Sequence, residues 1–229
     1  MPPVTVREIA AVKTARYAVV GPEDGPAERV WMACHGYGQL APYFARHFRT
    51  VAAPRQLVVV PEALSRFYVA APGGGERRVG ASWMTREARE ADIADTVRYL
   101  DDVFVAACAR ADADVGSVAL SGFGFSQGTA TVVRWLDQSS VVSRRARRAD
   151  RLVLWGGGLP HDFDPAAAGW LAQTRVTLVA GDRDGFATPA RVMEQEARLA
   201  AAGVPHDVRT FPGEHRINDR VLGEVMAAP

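Results

Sequence analysis

Short apolar segments alternate with stretches of helical periodicity along most of this chain, and few fold classes accommodate that alternation. The apolar segments are rich in β-branched and aromatic residues and are bounded by Gly, Pro or Asp, as strands are. The predicted strands are 16–20, 29–34, 56–60, 117–123, 151–156, 175–180 and 206–211. The predicted helices are 40–52, 86–111, 127–138, 164–173, 188–202 and 215–226. Strands separated by helices predict an α/β fold with a mostly parallel central sheet that is covered by helices on both faces.

The connecting segments refine this prediction. Segment 86–111 is the clearest helix, because its apolar residues recur at steps of three and four. Segment 21–28 resembles a hairpin loop, so we expect the sheet to begin with an antiparallel pair. Stretches 72–78 and 143–148 are predicted to be a surface loop and a solvated, charged loop. No linker divides the 229 residues, 48% of them hydrophobic, so one domain spanning residues 1–229 is expected.

Charge and cysteine content narrow the class of protein. The net charge is +1, which gives no field to attract nucleic acid or an anionic membrane surface. Two cysteines, Cys34 and Cys108, are too few for a disulfide framework and favour a reducing compartment. The N-terminus lacks the apolar segment of a secretory signal, and no apolar run approaches the roughly 18 residues of a membrane span. We therefore expect a cytoplasmic protein, monomeric or homodimeric, without nucleic-acid partners or stable membrane insertion.

The segment "GFSQG", residues 124–128, lies between a predicted buried strand and a predicted helix. A phosphate-binding loop requires a lysine after its glycines, and a dinucleotide fingerprint requires glycine where Gln127 stands, so neither motif fits. The pattern G-x-S-x-G matches a nucleophile elbow, in which Ser126 would occupy a strained strand-to-helix turn. Its flanking glycines would allow the backbone to close tightly around the serine. An ordinary turn is the alternative.

The segment "HGYGQ", residues 35–39, follows another predicted strand. In an open α/β sheet, ligands bind beyond the carboxyl ends of the strands, so this position favours a functional loop. The backbone N–H groups of Tyr37 and Gln127 could together form an oxyanion hole. His35 is expected to be a hydrogen-bonding support rather than a base, and Cys34 a small buried apolar residue. An ordinary glycine-rich turn is again the alternative.

Two later strand ends supply an acid and a base. The segment "GDRD", residues 181–184, offers Asp182 and Asp184 as candidate acids, and "GEH" places His215 on the last strand-to-helix loop. Serine, aspartate and histidine thus occur in the chain order of one catalytic-triad solution. A serine hydroxyl is a poor nucleophile at neutral pH and needs a base within hydrogen-bond reach, which His215 could provide.

Together, "HGYGQ", "GFSQG", "GDRD" and "GEH" resemble the α/β-hydrolase superfamily and, within it, the phospholipase/carboxylesterase family that includes acyl-protein thioesterases. The resemblance covers residues 15–226 and implies a single α/β-hydrolase domain. By the family's G-x-x-D pattern it implies that Asp184, rather than Asp182, is the triad acid. The chain departs from that pattern at Gln39 and Thr85, where the family usually has aspartate, and its loop before His215 has fewer aromatic residues.

The resemblance implies a serine hydrolase that cleaves a small-molecule carboxylic ester, with a short- to medium-chain acyl group, through an acyl-enzyme intermediate. Such a triad needs no metal or cofactor, and the chain has no C-x-x-C or H-E-x-x-H motif. Segment 157–174 is too short for a cap domain, which predicts an open cleft. The candidates for its lining are Tyr37, Trp83, Phe125 and Leu159. A thioesterase or lysophospholipase-type deacylase, a peptidase and a non-catalytic small-molecule-binding protein are the alternatives.

Overall fold

The computed structural model describes residues 1–22, 25–70 and 77–228. The strands are β1 (Tyr17–Val20), β2 (Arg29–Cys34), β3 (Gln56–Pro61), β4 (Ser65–Val69), β5 (Arg78–Ser82), β6 (Ala119–Phe125), β7 (Arg151–Trp155), β8 (Arg175–Gly181) and β9 (His206–Phe211). The helices are α1 (Ala41–Phe44), α2 (Arg89–Arg110), α3 (Gln127–Gln138), α4 (Pro189–Ala201) and α5 (Asp219–Ala227). Seven strands form one sheet in the order β1-β3-β2-β6-β7-β8-β9, and β4 pairs with β5 in a separate hairpin.

The large sheet is parallel except at one edge, where β1 runs antiparallel to β3. The sheet therefore begins with an antiparallel strand, but the predicted hairpin between β1 and β2 is wrong. β1 pairs with one side of β3, and the next strand, β2, pairs with the opposite side of β3. The chain therefore passes the amino end of β3 between these two strands. Gly21 permits this path, because its φ is +116° and a Cβ there would lie 2.3 Å from the carbonyl oxygen of Gln56.

The core lies on both faces of the sheet, which confirms the predicted α/β class. Successive residues of β2 point to opposite faces. Val30 and Met32 pack in the cluster that α2, α3 and α4 cover, whereas Trp31 and Ala33 pack in the cluster that α1 and α5 cover. The carboxyl ends of the six parallel strands, β2, β3, β6, β7, β8 and β9, therefore lie at the same end of the sheet, and the predicted site segments follow four of them.

The helices follow their predictions where capping residues mark the ends. Helix α3 has the predicted bounds, and α4 begins after Thr188, whose side chain accepts a hydrogen bond from the Arg191 N–H. Helix α5 begins four residues later than predicted, because Asn218 caps it through the Val221 N–H. Within the described ranges, no helix combines the length and apolar character required to cross a membrane.

Two predicted helices are wholly or partly wrong. Segment 40–52 contains only α1 and a 3₁₀ turn at Ala45–Phe48. Segment 164–173 contains a 3₁₀ helix only at Gly169–Gln173. Near its start, the Asp164 side chain accepts a hydrogen bond from the Ala166 N–H at 2.9 Å, and this local turn competes with helix formation.

The two predicted loops are segments 72–78 and 143–148. Residues 72–76 of the predicted loop 72–78 lie outside the described residues, and Arg78 begins β5. The charged stretch 143–148 is not simply solvated. Arg145 donates to the carbonyls of Val115 and Val118, and Arg148 donates to the carbonyl of Leu136 at 2.9 Å. Guanidinium groups that satisfy backbone carbonyls dock this segment against its neighbours.

Candidate active site

Ser126 occupies the turn between β6 and α3 with φ 54° and ψ −118°, a backbone conformation that is uncommon for a residue with a side chain. The two flanking glycines make the turn possible. A Cβ on Gly124 would lie 2.5 Å from the carbonyl oxygen of Gly128, and a Cβ on Gly128 would lie 2.1 Å from that of Cys34. The serine N–H donates to the Trp155 carbonyl at 2.8 Å. Strain of about 1–3 kcal/mol, typical of such conformations, is thus held by the surrounding backbone.

Asp184 and His215 are joined by a hydrogen bond of 2.8 Å between Oδ2 and Nδ1. The other carboxylate oxygen of Asp184 accepts from the backbone N–H groups of Phe186 and Ala187 at 2.7 and 2.8 Å. Because an ionised carboxylate only accepts, Nδ1 carries the proton and Nε2 has a free lone pair. Asp184 is only 3% exposed, so this pair is shielded from water.

Asp182, the other candidate acid, faces away from the histidine. Its Oδ1 accepts from the Gly213 N–H at 2.9 Å and lies 3.5 Å from the Arg183 guanidinium. It therefore fixes the loop that carries His215, while Asp184 contacts the imidazole itself.

The serine and the histidine approach each other at the end of β7. A Cβ on Gly156 would lie 2.9 Å from His215 Cε1, and a Cβ on Gly157 would lie 2.9 Å from the Ser126 carbonyl oxygen. Phe125, the residue before the serine, stacks on the imidazole with ring centroids 4.9 Å apart. Among the described residues, no hydrogen bond joins the Ser126 hydroxyl to His215. Such bonds are often long in the absence of a substrate.

The loop after β2 is held by hydrogen bonds on both sides of Gly36. His35 Nδ1 donates to the Gly36 carbonyl at 2.8 Å, and the Gly36 N–H donates to Gln39 Oε1 at 2.8 Å. His35 Nε2 accepts from the Ala63 N–H at 3.1 Å. Burial lowers the pKa of His35 to about 4, so the ring is neutral near pH 7. The Gly36 carbonyl belongs to the same planar peptide as the Tyr37 N–H, so these bonds also fix the direction of that N–H.

Within the described part of the chain, the backbone N–H groups of Tyr37 and Gln127 have no hydrogen-bond acceptor. The Gln127 N–H is the first of helix α3, where the helix itself supplies no acceptor. The close contact between Gly128 and the Cys34 carbonyl brings the two loops together. Two free donors at one place are the arrangement that an oxyanion requires.

Solved structures of esterases share this architecture. Crystal structures of esterase PE8 and of a carboxylesterase from Mesorhizobium loti superpose with TM-scores of 0.65 and 0.68, each at 18% identity, over 94% of this chain and 97% and 95% of theirs. Zea mays acyl-protein thioesterase 2 gives a TM-score of 0.65 at 18% identity, over 93% of this chain and 97% of its own. The protein has the α/β-hydrolase fold. No protein-family model matches the sequence, and no curated protein sequence matches it.

In this hydrolase-fold protein, the side chain of Gln127 ties helix α3 to the segment after β5. Its Oε1 accepts from the Trp83 N–H at 3.2 Å, and its Nε2 donates to the Met84 carbonyl at 2.9 Å. The Trp83 indole N–H donates to the His35 carbonyl at 2.7 Å. Trp83 is buried and supports the loop after β2. A role for it in lining the substrate pocket stays a prediction.

A cavity of about 290 Å³ lies between the loop after β7 and helix α4. Leu159, one of the predicted lining residues, forms part of its wall, together with Gly156, Phe186, Val192 and Gln195. Phe125 is buried, stacks on His215 and is not among the residues that line this cavity, so its role in the pocket stays a prediction. The fourth candidate, Tyr37, is exposed and stacks on Phe67 with centroids 5.0 Å apart.

Helix α4 fixes the loop that walls this cavity. Gln195 Oε1 accepts from the Leu159 N–H at 2.9 Å, and Arg198 donates to the carbonyls of Pro160 and Phe163 at 3.1 and 2.7 Å. The β7–β8 connection consists of turns and a short 3₁₀ helix at Gly169–Gln173. Sequence reasoning did not identify Gln195 or Arg198, because their partners are backbone atoms distant along the chain.

The remaining candidate nucleophile and bases have other surroundings. Cys34 is fully buried, and burial raises the pKa of its thiol. His47 Nδ1 lies 3.0 Å from an Asp219 carboxylate oxygen, and His206 Nδ1 lies 2.8 Å from the Val204 carbonyl. His161 is exposed at the rim of the cavity. Among the described residues, none of these three histidines is hydrogen-bonded to Asp184 or Ser126.

Proposed function

We propose that this protein is a serine hydrolase that cleaves carboxylic esters with short- to medium-chain acyl groups through an acyl-enzyme intermediate. The observation that carries the proposal is the strained backbone of Ser126, which presents the hydroxyl at the sheet edge where Asp184 is bonded to His215. Solved structures of the same fold include two described as esterase or carboxylesterase and one described as acyl-protein thioesterase, which supports ester or thioester cleavage.

The proposed reaction begins with attack by Ser126 Oγ on the carbonyl carbon of the ester, while His215 Nε2 accepts the hydroxyl proton. Asp184 keeps the proton on Nδ1 and stabilises the imidazolium that forms. The tetrahedral oxyanion accepts hydrogen bonds from the Tyr37 and Gln127 N–H groups, each of which lowers the barrier by on the order of 3 kcal/mol.

Collapse of the oxyanion breaks the ester C–O bond, and the His215 imidazolium donates its proton to the departing alcohol. Water then attacks the acyl-enzyme with the same imidazole as base, which releases the carboxylic acid and restores the Ser126 hydroxyl. No step requires a metal or an organic cofactor, because the nucleophile, the base and the oxyanion donors are all supplied by the chain.

The volume of the cavity beside His215 supports the proposed size of the acyl group. Its volume of about 290 Å³ is at the lower end of the range for small-molecule sites, and its wall includes Leu159, Phe186 and Val192. We assign the acyl group to this cavity, since Gly156 and Gly157 place it directly behind Ser126 and His215.

The test measures hydrolysis of p-nitrophenyl esters from acetate to palmitate, and of thioesters with matched acyl groups, by the wild type, Ser126→Ala and Ser143→Ala. Ser143 is an exposed serine outside the site and provides the matched control. We expect turnover to be highest for short and medium chains and to fall at least about 10³-fold in Ser126→Ala only. The thioester series tests the thioesterase alternative.

A fluorophosphonate probe separates the nucleophile from the substrate. It should add covalently to Ser126 in the wild type and in Ser143→Ala, and mass spectrometry of the intact and digested protein locates the adduct. If Ser126→Ala is labelled or hydrolyses esters as well as the wild type does, the proposed nucleophile is wrong. If Ser126 is labelled but no ester or thioester is cleaved, the substrate class is wrong.

A further inference from the structure

Two phenyl rings contact the imidazole of His215. Phe125 stacks on it with centroids 4.9 Å apart and an interplanar angle of 30°, and the Phe186 ring lies 4.8 Å away, tilted by 49°. Phe125 is buried in the core, whereas Phe186 is 66% exposed and contributes little to it. We propose that Phe186 is a positioning residue that holds the His215 ring against Asp184 and stabilises its cationic form. The catalytic consequence rests on the proposed function, but the effect on the imidazole does not.

The backbone of Phe186 is fixed on both sides. Its N–H donates to Asp184 Oδ1 at 2.7 Å, and its carbonyl accepts from the Arg191 guanidinium at 2.7 Å. The same carboxylate therefore orients both the Nδ1–H of His215 and the residue whose ring covers it. Phe186 also forms part of the cavity wall, but an exposed phenyl ring gains little from packing, so its contact with the imidazole remains a distinct role that substitution can test.

The face of an aromatic ring carries negative potential and attracts a cation within about 6 Å. Two such rings lie within about 5 Å of the imidazole centroid, so the imidazolium gains an attraction that the neutral ring lacks. Only 19% of the His215 side chain is exposed.

Other charged groups near His215 can be named. Asp184 is its ion-pair partner, and Asp182 bonds the Gly213 N–H and faces Arg183. Glu214 and Arg216, its neighbours in the chain, are exposed. Substitution of Phe186 changes none of these charges, so a change in the titration of His215 would report the aromatic ring.

The experiment follows the ¹H–¹³C Cε1 resonance of His215 by NMR as a function of pH, assigned by its loss in His215→Asn. The variants are Phe186→Leu, which keeps an apolar cover without a π face, and Phe186→Tyr, which restores the π face. Tyr68→Leu removes an equally exposed aromatic side chain elsewhere and is the control. We expect the titration midpoint to fall by about half a pH unit in Phe186→Leu and to stay at the wild-type value in the other two.

The direction follows from the charge, because removal of an interaction that favours the cation lets the proton leave at lower pH. A wild-type midpoint in Phe186→Leu, or an equal fall in Phe186→Tyr, would overturn the proposal. The acid limb of the pH profile of kcat/KM should move by the same amount for an ester substrate. If the NMR midpoint moves but no ester is cleaved, the inference stands and the proposed function fails. If esters are cleaved but the NMR midpoint does not move, the proposed function stands and the inference about Phe186 fails.

Discussion

Two histidines follow strands at the same edge of the sheet, and their surroundings are opposite. His35 is fully buried and both of its ring nitrogens are bonded to the backbone, Nδ1 to the Gly36 carbonyl and Nε2 to the Ala63 N–H. His215 is partly exposed, its Nδ1 is bonded to the Asp184 carboxylate, and its Nε2 has no partner among the described residues.

The difference teaches that the partners of the two nitrogens, rather than the residue type, decide what an imidazole can do. His35 is held neutral by burial and has no free atom, so it can only support the loop that carries the Tyr37 N–H. His215 has an acceptor left over and a carboxylate that stabilises its charged form, which are the two properties of a general base. In the proposed reaction, His35 would support the loop and His215 would act as the base.

The largest expected effect is a contrast between His215→Asn and His35→Asn. Loss of the proposed base should lower kcat/KM for p-nitrophenyl butyrate by on the order of 10⁵-fold. Loss of the support should lower it by on the order of 10²-fold, because a misdirected Tyr37 N–H weakens one oxyanion donor. Initial-rate assays at equal concentrations of folded protein measure both.

Stability should change in the opposite order. His35→Asn leaves the Ala63 N–H without its acceptor in a buried place, which costs about 1–3 kcal/mol, whereas His215→Asn should change the free energy of unfolding less. Urea unfolding followed by circular dichroism gives both values. If His35→Asn were less active and more stable than His215→Asn, the roles assigned to the two rings would have to be exchanged.

The next largest effect is the difference in activity between Asn substitutions at the two aspartates of "GDRD". Asp184→Asn should lower kcat by on the order of 10⁴-fold, since an amide does not stabilise the imidazolium and can favour the wrong tautomer. Asp182→Asn should keep most of the activity, because Asp182 bonds the Gly213 N–H and not the imidazole. The two substitutions are chemically identical and lie two residues apart, so each controls for the other. Equal losses in the two variants would argue against a distinct role for Asp184.

Much of the fold could be predicted from local pattern. The strands at 29–34 and 206–211 and helix 127–138 have the predicted bounds. Contiguous apolar residues mark the first strand, and the glycines of "GFSQG" mark the start of the helix. The hairpin of β4 and β5 was missed, since most of its residues are exposed or half-buried and form no apolar run. The partner of β1 could not be predicted from a loop composition, because pairing with β3 depends on contacts across about 40 residues.

The site shows the same division. Ser126, Asp184 and His215 could be proposed because each follows a strand in a recognisable order. The contacts that orient them could not, since they join residues far apart in the chain. Gln39 accepts a hydrogen bond from the Gly36 N–H, and Phe186 contacts an imidazole 29 positions later. Trp83 was placed in the pocket from resemblance alone, whereas its indole N–H is bonded to the His35 carbonyl inside the protein.

The smallest expected effect is the pH dependence that His35 imposes on stability. Burial lowers its pKa from 6.5 to about 4, so between these values the unfolded chain binds a proton that the folded protein excludes. Stability therefore rises with pH across this window, is complete above about pH 6.5, and is lost as the pH falls towards about 4. The gap between the two pKa values corresponds to about 3 kcal/mol.

Urea unfolding of the wild type and of His35→Gln, measured between about pH 7 and about pH 4, isolates this contribution, since the carboxylates that also titrate are common to both proteins. The variant should begin less stable and lose less stability on acidification, so that the two curves converge at low pH. Parallel curves would mean that His35 takes up a proton at the same pH in the folded protein as in the unfolded chain, and the bond from the Ala63 N–H to Nε2, which requires a neutral ring, would then be lost without cost on acidification.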